Sequence, residues 1–256
     1  MLGAVSAFKA YDIRGIAGED ITTDFSRRLG RAIVEFAQAT SIAVGRDIRS
    51  SGESLKAALI QGIVESGCTV VDLGIVPTGV VYRSTVDLNV DSAIAITASH
   101  NPPEYNGFKI VHKGLPVAGE DLQRLKAIYE SPDQGKANSP GTILSMSEYH
   151  HTVIDAIVQD VGPLARRVSV AVDSANAVPG PFIMELCDKL GVDLVDLNCT
   201  WDQRSPAHPA DPTRPENMIQ LSDLVANSDC EFGIGVDGDG DRTVSYTHLT
   251  LPTRAQ

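Results

Sequence analysis

The sequence predicts an α/β fold with two similar domains, each a mixed β-sheet layered between helices. The first observation is a strand–helix–strand pattern that occurs twice along the chain with nearly the same internal spacing. The second observation is a third apolar run after each copy, which ends in a cluster of polar residues. Because ligands of α/β proteins gather beyond the carboxyl ends of strands, both clusters are candidate functional sites.

The first copy has predicted strands at residues 41–45 and 69–73, which are rich in β-branched residues. The segment between them carries apolar residues at helical spacing, and Ser51 or Ser54 could cap its start. Residues 93–97 form the third predicted strand, which leads into the sequence Ala-Ser-His-Asn-Pro.

The second copy has predicted strands at residues 168–172 and 192–197, with a predicted helix between them that ends at Gly191. Its third strand, residues 232–236, leads into the sequence Asp-Gly-Asp-Gly-Asp-Arg. Both copies therefore end in a loop that carries polar side chains.

A turn-rich stretch without periodicity, residues 131–141, separates the two copies. We therefore predict a first domain at residues 1–148 and a second domain at residues 149–242.

The overall charge excludes one class of partner. The formal net charge is −12, and the lysines and arginines form no stripe. Binding to nucleic acid needs many cations that neutralise phosphates, so no nucleic-acid partner is expected. An anionic substrate would have to be bound by a few local cations in a field that repels it.

Cysteine use and the chain start indicate a reducing compartment. Cys68, Cys187, Cys199 and Cys230 form no Cys-x-x-Cys pair, and free buried thiols are expected. The apolar start at residues 1–8 lacks a basic segment, and no apolar run reaches the length of a membrane span. The predicted location is cytoplasmic, without a membrane partner.

The acidic loop places Asp237, Asp239 and Asp241 at alternating positions, with glycines between them. Several carboxylate ligands suit Mg²⁺ or Ca²⁺ better than zinc. An EF-hand does not fit, because Arg242 would replace its glycine and His248 its bidentate glutamate. The other interpretation is a solvated acidic turn without a metal.

The serine loop is less specific on its own. Ser99 follows a predicted strand and could be a nucleophile, a cap or a turn residue. The side chain of His100 would project away from it unless the turn is sharp. Since no Gly-x-Ser-x-Gly motif is present, a triad hydrolase is disfavoured.

Four cations could handle an anionic group. Arg14 precedes a glycine near the start of the chain, and Lys109 lies in an apolar run soon after the serine loop. Arg242 ends the acidic loop, and Arg46 is a less certain fourth. Each could instead be a surface charge, but together they are what a phosphate site requires.

Taken together, these motifs resemble the α-D-phosphohexomutase superfamily, in particular its phosphomannomutase/phosphoglucomutase group. The serine motif and the triple-aspartate motif are the most specific. The matching segments are residues 9–15, 44–47, 97–102, 106–109, 208–217 and 237–242.

The resemblance implies a phosphohexomutase, an isomerase that interconverts hexose 1-phosphate and 6-phosphate, with mannose or glucose as the sugar. Ser99 would carry the phosphate, and this phosphoserine and the three aspartates would hold Mg²⁺. The phosphate would pass to the sugar to give a 1,6-bisphosphate intermediate, which returns its other phosphate to Ser99.

The resemblance also implies roles for the cations. Arg14 and Lys109 would sit beside the serine, with Lys109 handling the proton of the attacking hydroxyl, because lysine pKa falls readily in a desolvated site. His100 and Arg242 would orient the phosphate or the intermediate. Tyr11, Arg14, Lys109 and Arg242 would contact the substrate.

The sequence departs from the family after the acidic loop. Family members continue into a domain III that contacts sugar hydroxyls and a domain IV that binds phosphate, and neither motif is found here. Residues 243–256 do not look like the family's apolar strand and are assigned as a tail of doubtful origin.

Without domains III and IV, the 256-residue chain is expected to turn over hexose phosphates poorly. Two alternatives remain: a non-catalytic module that binds Mg²⁺ or phosphate, and a metal-dependent phosphatase.

Overall fold

A computed structural model describes residues 6–132 and 137–247. The chain forms two compact units, the first running to His150 and the second beginning at His151. Within the described residues, no helix combines the length and the apolar composition needed to cross a bilayer. The four cysteines are free thiols, as the sequence indicated, and burial raises the pKa of Cys68 to about 12.

The first unit has a mixed sheet whose strands run in the order β1-β5-β4-β2-β3-β7, with β6 beside β5. Strand β2 is parallel to β3 and β4, whereas β5 is antiparallel to β1 and β4. The strands are β1 (Ile13–Ile16), β2 (Ser41–Arg46), β3 (Thr69–Ile75), β4 (Ser92–Ile96), β5 (Tyr105–His112), β6 (Leu115–Pro116) and β7 (Ile143–Ser145). The helices are α1 (Thr23–Ala37), α2 (Gly52–Glu65), α3 (Thr78–Asp87) and α4 (Gly119–Glu130).

Helices cover both faces of this sheet. Val44 belongs to the main core cluster, which is formed with residues of α1, α2 and α4. Because neighbouring residues of a strand face opposite sides, Gly45 faces the other side, where an added Cβ would meet Val81 of α3 at 2.6 Å. The sheet is therefore layered between helices.

The second unit has a four-stranded mixed sheet in the order β11-β10-β8-β9. Helix α5 (Tyr149–Val161) contains the division between the units. The other elements are β8 (Ser169–Asp173), α6 (Pro179–Leu190), β9 (Asp193–Leu197), a 3₁₀ turn (Pro215–Met218), α7 (Ile219–Ala226), β10 (Phe232–Val236) and β11 (Thr243–Tyr246).

Two small clusters show the same layering in the second unit. Ala171 of β8 packs with Leu221 and Val225 of α7. Its neighbour Val172 belongs to a separate cluster, against which Ile183 of α6 packs. Adjacent residues of β8 thus face helices on opposite sides of the sheet.

The predicted repeat is confirmed by the topology. In each unit the third strand of the repeat lies beside the first, and the second lies on the first strand's other side: β4-β2-β3 and β10-β8-β9. All four of these pairings are parallel. The serine loop and the aspartate loop therefore follow equivalent strands, β4 and β10.

Two sequence-based expectations differ from the structure. Ser51 lies at the start of α2 but makes no side-chain cap, and its hydroxyl accepts a hydrogen bond from Asn106 instead. The segment assigned to a doubtful tail begins with a strand, β11, which pairs antiparallel with β10. Val244 and Tyr246 alternate with polar residues in this strand, and Tyr246 packs on the core. The doubtful origin of residues 243–256 stays a prediction. Residues 248–256 lie outside the described part of the chain.

Candidate active site

The Ser99 loop continues directly from β4. Thr97 still donates to the carbonyl of Gly107 at 3.0 Å, as a strand residue would. Ser99 then takes a left-handed backbone with φ of 55°, and its amide donates to the Thr97 hydroxyl at 2.9 Å. A non-glycine residue in this region is unfavourable, and such residues often lie at functional sites.

The sharp turn at Ser99 brings its neighbour back toward it. The Nδ1 of His100 lies 3.3 Å from the Ser99 hydroxyl oxygen. The sequence allowed this contact only if the turn is sharp, and the left-handed backbone of Ser99 makes it so. An imidazole at this distance can exchange a proton with the hydroxyl or with a group that the hydroxyl carries.

Arg14 is held beside the same loop. It lies on β1 opposite Gly107 of β5, and its Nη1 donates to the side chain of Asn101 at 2.8 Å. Its Nη2 binds Asp12. Its Nε is buried and has no acceptor among the described residues. A guanidinium with a donor to spare next to the serine loop suits the binding of an anion.

Lys109 lies on the same face of the sheet as Arg14. It comes two residues after Gly107 on β5, and Arg14 pairs directly with Gly107. Residues two apart on a strand share a face, as do residues directly opposite in an antiparallel pair. Lys109 is half-buried.

Tyr11, another predicted substrate contact, is 81% exposed.

A second arginine beside the loop, which the sequence did not single out, makes more hydrogen bonds to it than Arg14 does. The guanidinium of Arg49 donates to the carbonyl oxygens of Ser99, Asn101, Pro102 and Tyr105. Arg46, the predicted fourth cation, instead binds Glu53 at 2.8 Å.

The three aspartates of the second unit converge. Carboxylate oxygens of Asp237, Asp239 and Asp241 all lie within 4.8 Å of one another. Asp237 and Asp239 are buried, whereas Asp241 is exposed. Asp237 also accepts hydrogen bonds from the amides of Asp241 and Arg242 at 3.1 Å. Gly240 has a φ of 77°, which explains why a glycine is used between the last two aspartates.

The donor set of this loop fits a hard divalent cation. Three carboxylates this close repel one another, and an oxygen-coordinated cation such as Mg²⁺ offsets that repulsion. The side chain of Arg242 is 44% exposed, and its Nε lies 3.6 Å from Asp241. It supplies only part of the positive charge that three carboxylates require.

A second strand-end aspartate holds a cation in the second unit. Asp173 is fully buried at the end of β8 and accepts from the amide of Ala175 at 2.9 Å. Its other oxygen lies 2.9 Å from Nε2 of His208. Nδ1 of His208 lies 2.9 Å from the carbonyl of Pro209. Since both ring nitrogens face oxygen acceptors, the geometry favours the imidazolium.

The Asp173 contact makes stability depend on pH. Its hydrogen bond raises the pKa of His208 above the usual 6.5. A raised pKa in the folded state gives stability that is fully present below the unfolded pKa and lost as pH rises through the folded value. We expect the free energy of unfolding of the second unit to fall as the pH rises above the usual histidine pKa of 6.5.

Urea unfolding at increasing pH checks this expectation. In His208→Gln the decrease should become shallower, because glutamine can donate to Asp173 without titrating. An equally steep decrease in the variant would assign the pH dependence to another group.

Comparison with protein families gives two matches that together cover most of the chain. The model for phosphoglucomutase/phosphomannomutase, alpha/beta/alpha domain I, matches residues 5–136. The model for domain II of the same family matches residues 148–249.

Individual relatives agree with these matches. A phosphomannomutase/phosphoglucomutase of Pseudomonas aeruginosa is 39% identical over 247 residues, covering 95% of this chain and 52% of the relative. A phosphoglucomutase of Neisseria meningitidis is 39% identical over 92% of this chain and 51% of its own length. The chain thus spans about half the length of the curated relatives it matches.

A solved structure shows the same fold. A phosphoglucomutase/phosphomannomutase family protein from Burkholderia thailandensis superposes with a TM-score of 0.88 at 36% identity, covering 95% of this chain and 55% of that one. These findings confirm the resemblance drawn from the sequence motifs and the predicted two-domain fold. The chain belongs to the phosphoglucomutase/phosphomannomutase family and matches its domains I and II.

Proposed function

We propose that this protein carries out phosphohexomutase chemistry, in which Ser99 carries the phosphoryl group between hexose 1-phosphate and hexose 6-phosphate. The substrates would be mannose or glucose phosphates, with the 1,6-bisphosphate as intermediate. The observation that carries the proposal is the Ser99 loop, where a buried serine has a left-handed backbone and a histidine nitrogen 3.3 Å from its hydroxyl oxygen. The names of the full-length relatives support the same chemistry.

In the proposed step, a sugar hydroxyl oxygen attacks the phosphorus of phosphorylated Ser99. A bond forms between phosphorus and the sugar oxygen, and the bond between phosphorus and the Ser99 oxygen breaks. Lys109 takes the proton of the attacking hydroxyl, and His100 gives a proton to the departing Ser99 oxygen, from which its Nδ1 lies 3.3 Å. The reverse step returns the other phosphate of the sugar to Ser99.

The cations of the chain bind the phosphate groups in this proposal. Arg14 supplies its spare Nε donor beside the serine loop, and Arg242 supplies an exposed guanidinium at the acidic loop. Tyr11 is available to a substrate because its side chain is exposed. These cations give the site a local positive charge in a chain whose formal net charge of −12 repels a sugar phosphate.

Asp237, Asp239 and Asp241 would hold Mg²⁺, together with the phosphate on Ser99. When bound, the metal offsets negative charge on the transferring phosphoryl group.

We propose that the domain boundaries are 1–148 for the domain with the serine loop and 149–242 for the domain with the metal loop. In the relatives, which are about twice as long, domains III and IV would contact the sugar hydroxyls and the distal phosphate. Tests on this chain should therefore measure phosphoryl transfer to Ser99, which requires fewer contacts than turnover of a sugar phosphate.

The direct test is to incubate the chain with glucose 1,6-bisphosphate and Mg²⁺ and to measure its intact mass. We expect one stable phosphate, which peptide mapping assigns to Ser99 and which Ser99→Ala lacks. Folding of the variant is checked by its circular dichroism spectrum.

The alternatives give other results. Release of inorganic phosphate without an adduct would indicate a phosphatase. Binding of Mg²⁺ or phosphate with neither adduct nor release would indicate a non-catalytic module.

A further inference from the structure

We propose that Arg49 is the positioning residue of the Ser99 loop: it fixes the backbone that presents the serine for phosphoryl transfer. This inference rests on the proposed function of Ser99. It concerns a residue outside the motifs that suggested that function, and it follows from the hydrogen bonds of one guanidinium group.

Arg49 binds the loop at four points. Its Nη2 donates to the carbonyl oxygens of Ser99 at 2.8 Å and Asn101 at 2.6 Å. Its Nη1 donates to those of Pro102 at 2.6 Å and Tyr105 at 2.9 Å. These acceptors span the whole loop, from the serine to the first residue of β5.

Asp47 anchors the guanidinium to the sheet. It is 4% exposed, and its carboxylate accepts from Nε of Arg49 at 3.2 Å and from the amide of Arg49 at 2.9 Å. The amide of Asp47 donates to the carbonyl of Ile96, the last residue of β4, at 3.0 Å. The anchor therefore starts from the strand end that precedes the loop.

Arg49 acts on the backbone through hydrogen bonds, because the carboxylate of Asp47 offsets its charge. A planar guanidinium has five N–H donors in a fixed arrangement, and five of the bonds described above use its three nitrogens. A lysine keeps the positive charge but has three donors on one flexible atom. Lysine therefore cannot reproduce these contacts, which separates a positioning role from an electrostatic one.

The left-handed backbone of Ser99 is why the loop needs such an anchor. An unfavourable backbone conformation persists only where surrounding contacts determine it. The Ser99 amide donates to the Thr97 hydroxyl at 2.9 Å, and the Ser99 carbonyl accepts from Arg49 at 2.8 Å. Without Arg49, we expect Ser99 to sample other backbone conformations, in which its oxygen is misplaced.

The test compares Arg49→Lys and Arg49→Met with Arg28→Lys in the full 256-residue chain. Arg28 is a matched control, because its guanidinium donates to the carbonyls of Tyr129 and Ser131 in another part of the same unit. The rate of Ser99 phosphorylation is measured against the concentration of glucose 1,6-bisphosphate. Hydrogen exchange of peptides from the loop and from α1 is measured in parallel.

For both Arg49 variants we expect the maximal rate to fall about 100-fold with little change in the half-saturating concentration, since misplacement by about 1 Å can cost that much. Exchange should become about tenfold faster in the loop and stay unchanged in α1. Arg28→Lys should change neither quantity.

Three results would overturn the proposal. One is a normal rate in Arg49→Lys, which would mean that charge alone suffices. Another is faster exchange in α1 as well as in the loop, which would make Arg49 a general stabiliser of the unit. The third is unchanged loop exchange. If the unsubstituted chain accepts no phosphate, the proposed function fails, and the exchange data still decide whether Arg49 holds the loop.

Discussion

Asp239→Asn is expected to weaken Mg²⁺ binding by at least about 100-fold, because loss of even an outer contact of a metal site costs tenfold to 100-fold. Asp239 is 1% exposed, and its carboxylate lies within 4.8 Å of those of Asp237 and Asp241. Asparagine keeps the shape and one oxygen but removes a negative charge. Isothermal titration with Mg²⁺ measures the affinity directly.

The same substitution should have the opposite effect on the metal-free protein. Removing one of three mutually repelling carboxylates should leave the melting temperature of the metal-free protein unchanged or raise it. Mg²⁺ should raise the melting temperature of the unsubstituted chain but not that of the variant. Asp223→Asn, which removes an exposed carboxylate of α7, serves as the control for net charge. Equal Mg²⁺ affinity in Asp239→Asn and Asp223→Asn would show that the acidic loop is not the metal site.

Gly107→Ala is expected to lower the free energy of unfolding of the first unit by about 1 to 3 kcal/mol and to impair phosphorylation of Ser99. An added Cβ would lie 2.2 Å from the carbonyl oxygen of Ile13 and 3.1 Å from that of Thr97. Both are backbone atoms, so relief requires β1 to move away from β5. Arg14 lies on β1 opposite Gly107 and would move with it.

Gly79→Ala is the matched control, since an added Cβ there meets nothing within 4 Å. Gly79 lies in the first turn of α3, where alanine should leave stability unchanged or raise it by about 0.4 to 1 kcal/mol. Urea unfolding compares the stability of the two variants. Hydrogen exchange in β1 and β5 is then measured in both. A Gly107→Ala protein as stable as Gly79→Ala would mean that β1 and β5 are less closely paired than the 2.2 Å distance indicates.

The parts of the fold that could be predicted are those with local signals. Each strand of the repeat is a short β-branched run bounded by turn residues, so β2, β3, β8 and β10 were placed within a few residues. Strand β11 was missed for a different reason. Its residues are less apolar than the strand that the family has at this position. They nevertheless fit a half-buried strand, because Val244 and Tyr246 alternate with polar residues.

The candidate site shows the same division. The three aspartates are close in sequence, so their convergence could be predicted from the chain alone. Arg49 could not be recognised, because its acceptors lie 50 to 56 residues further along and are backbone carbonyls, which carry no side-chain signal. The partner of His208 lies 35 residues away. Only the fold brings these groups together.

The repeat offers a signal that could have identified both cations. Asp47 directly follows the first strand of its repeat, and Asp173 is the last residue of the corresponding strand. Both are buried and bind the amide two residues later. Each also binds a cationic side chain, Arg49 in one unit and His208 in the other. A buried strand-end carboxylate requires such a partner, so its presence predicts a nearby cation.

The most direct test of the account is the rate at which Ser99 gains phosphate from glucose 1,6-bisphosphate as Mg²⁺ is increased, in the unsubstituted chain and in Asp239→Asn. We predict that the rate in the unsubstituted chain rises with Mg²⁺ to a plateau. The variant should need at least about 100-fold more Mg²⁺ to reach the same rate. Phosphorylation of Ser99 that proceeds equally with and without Mg²⁺, and equally in both proteins, would contradict the account.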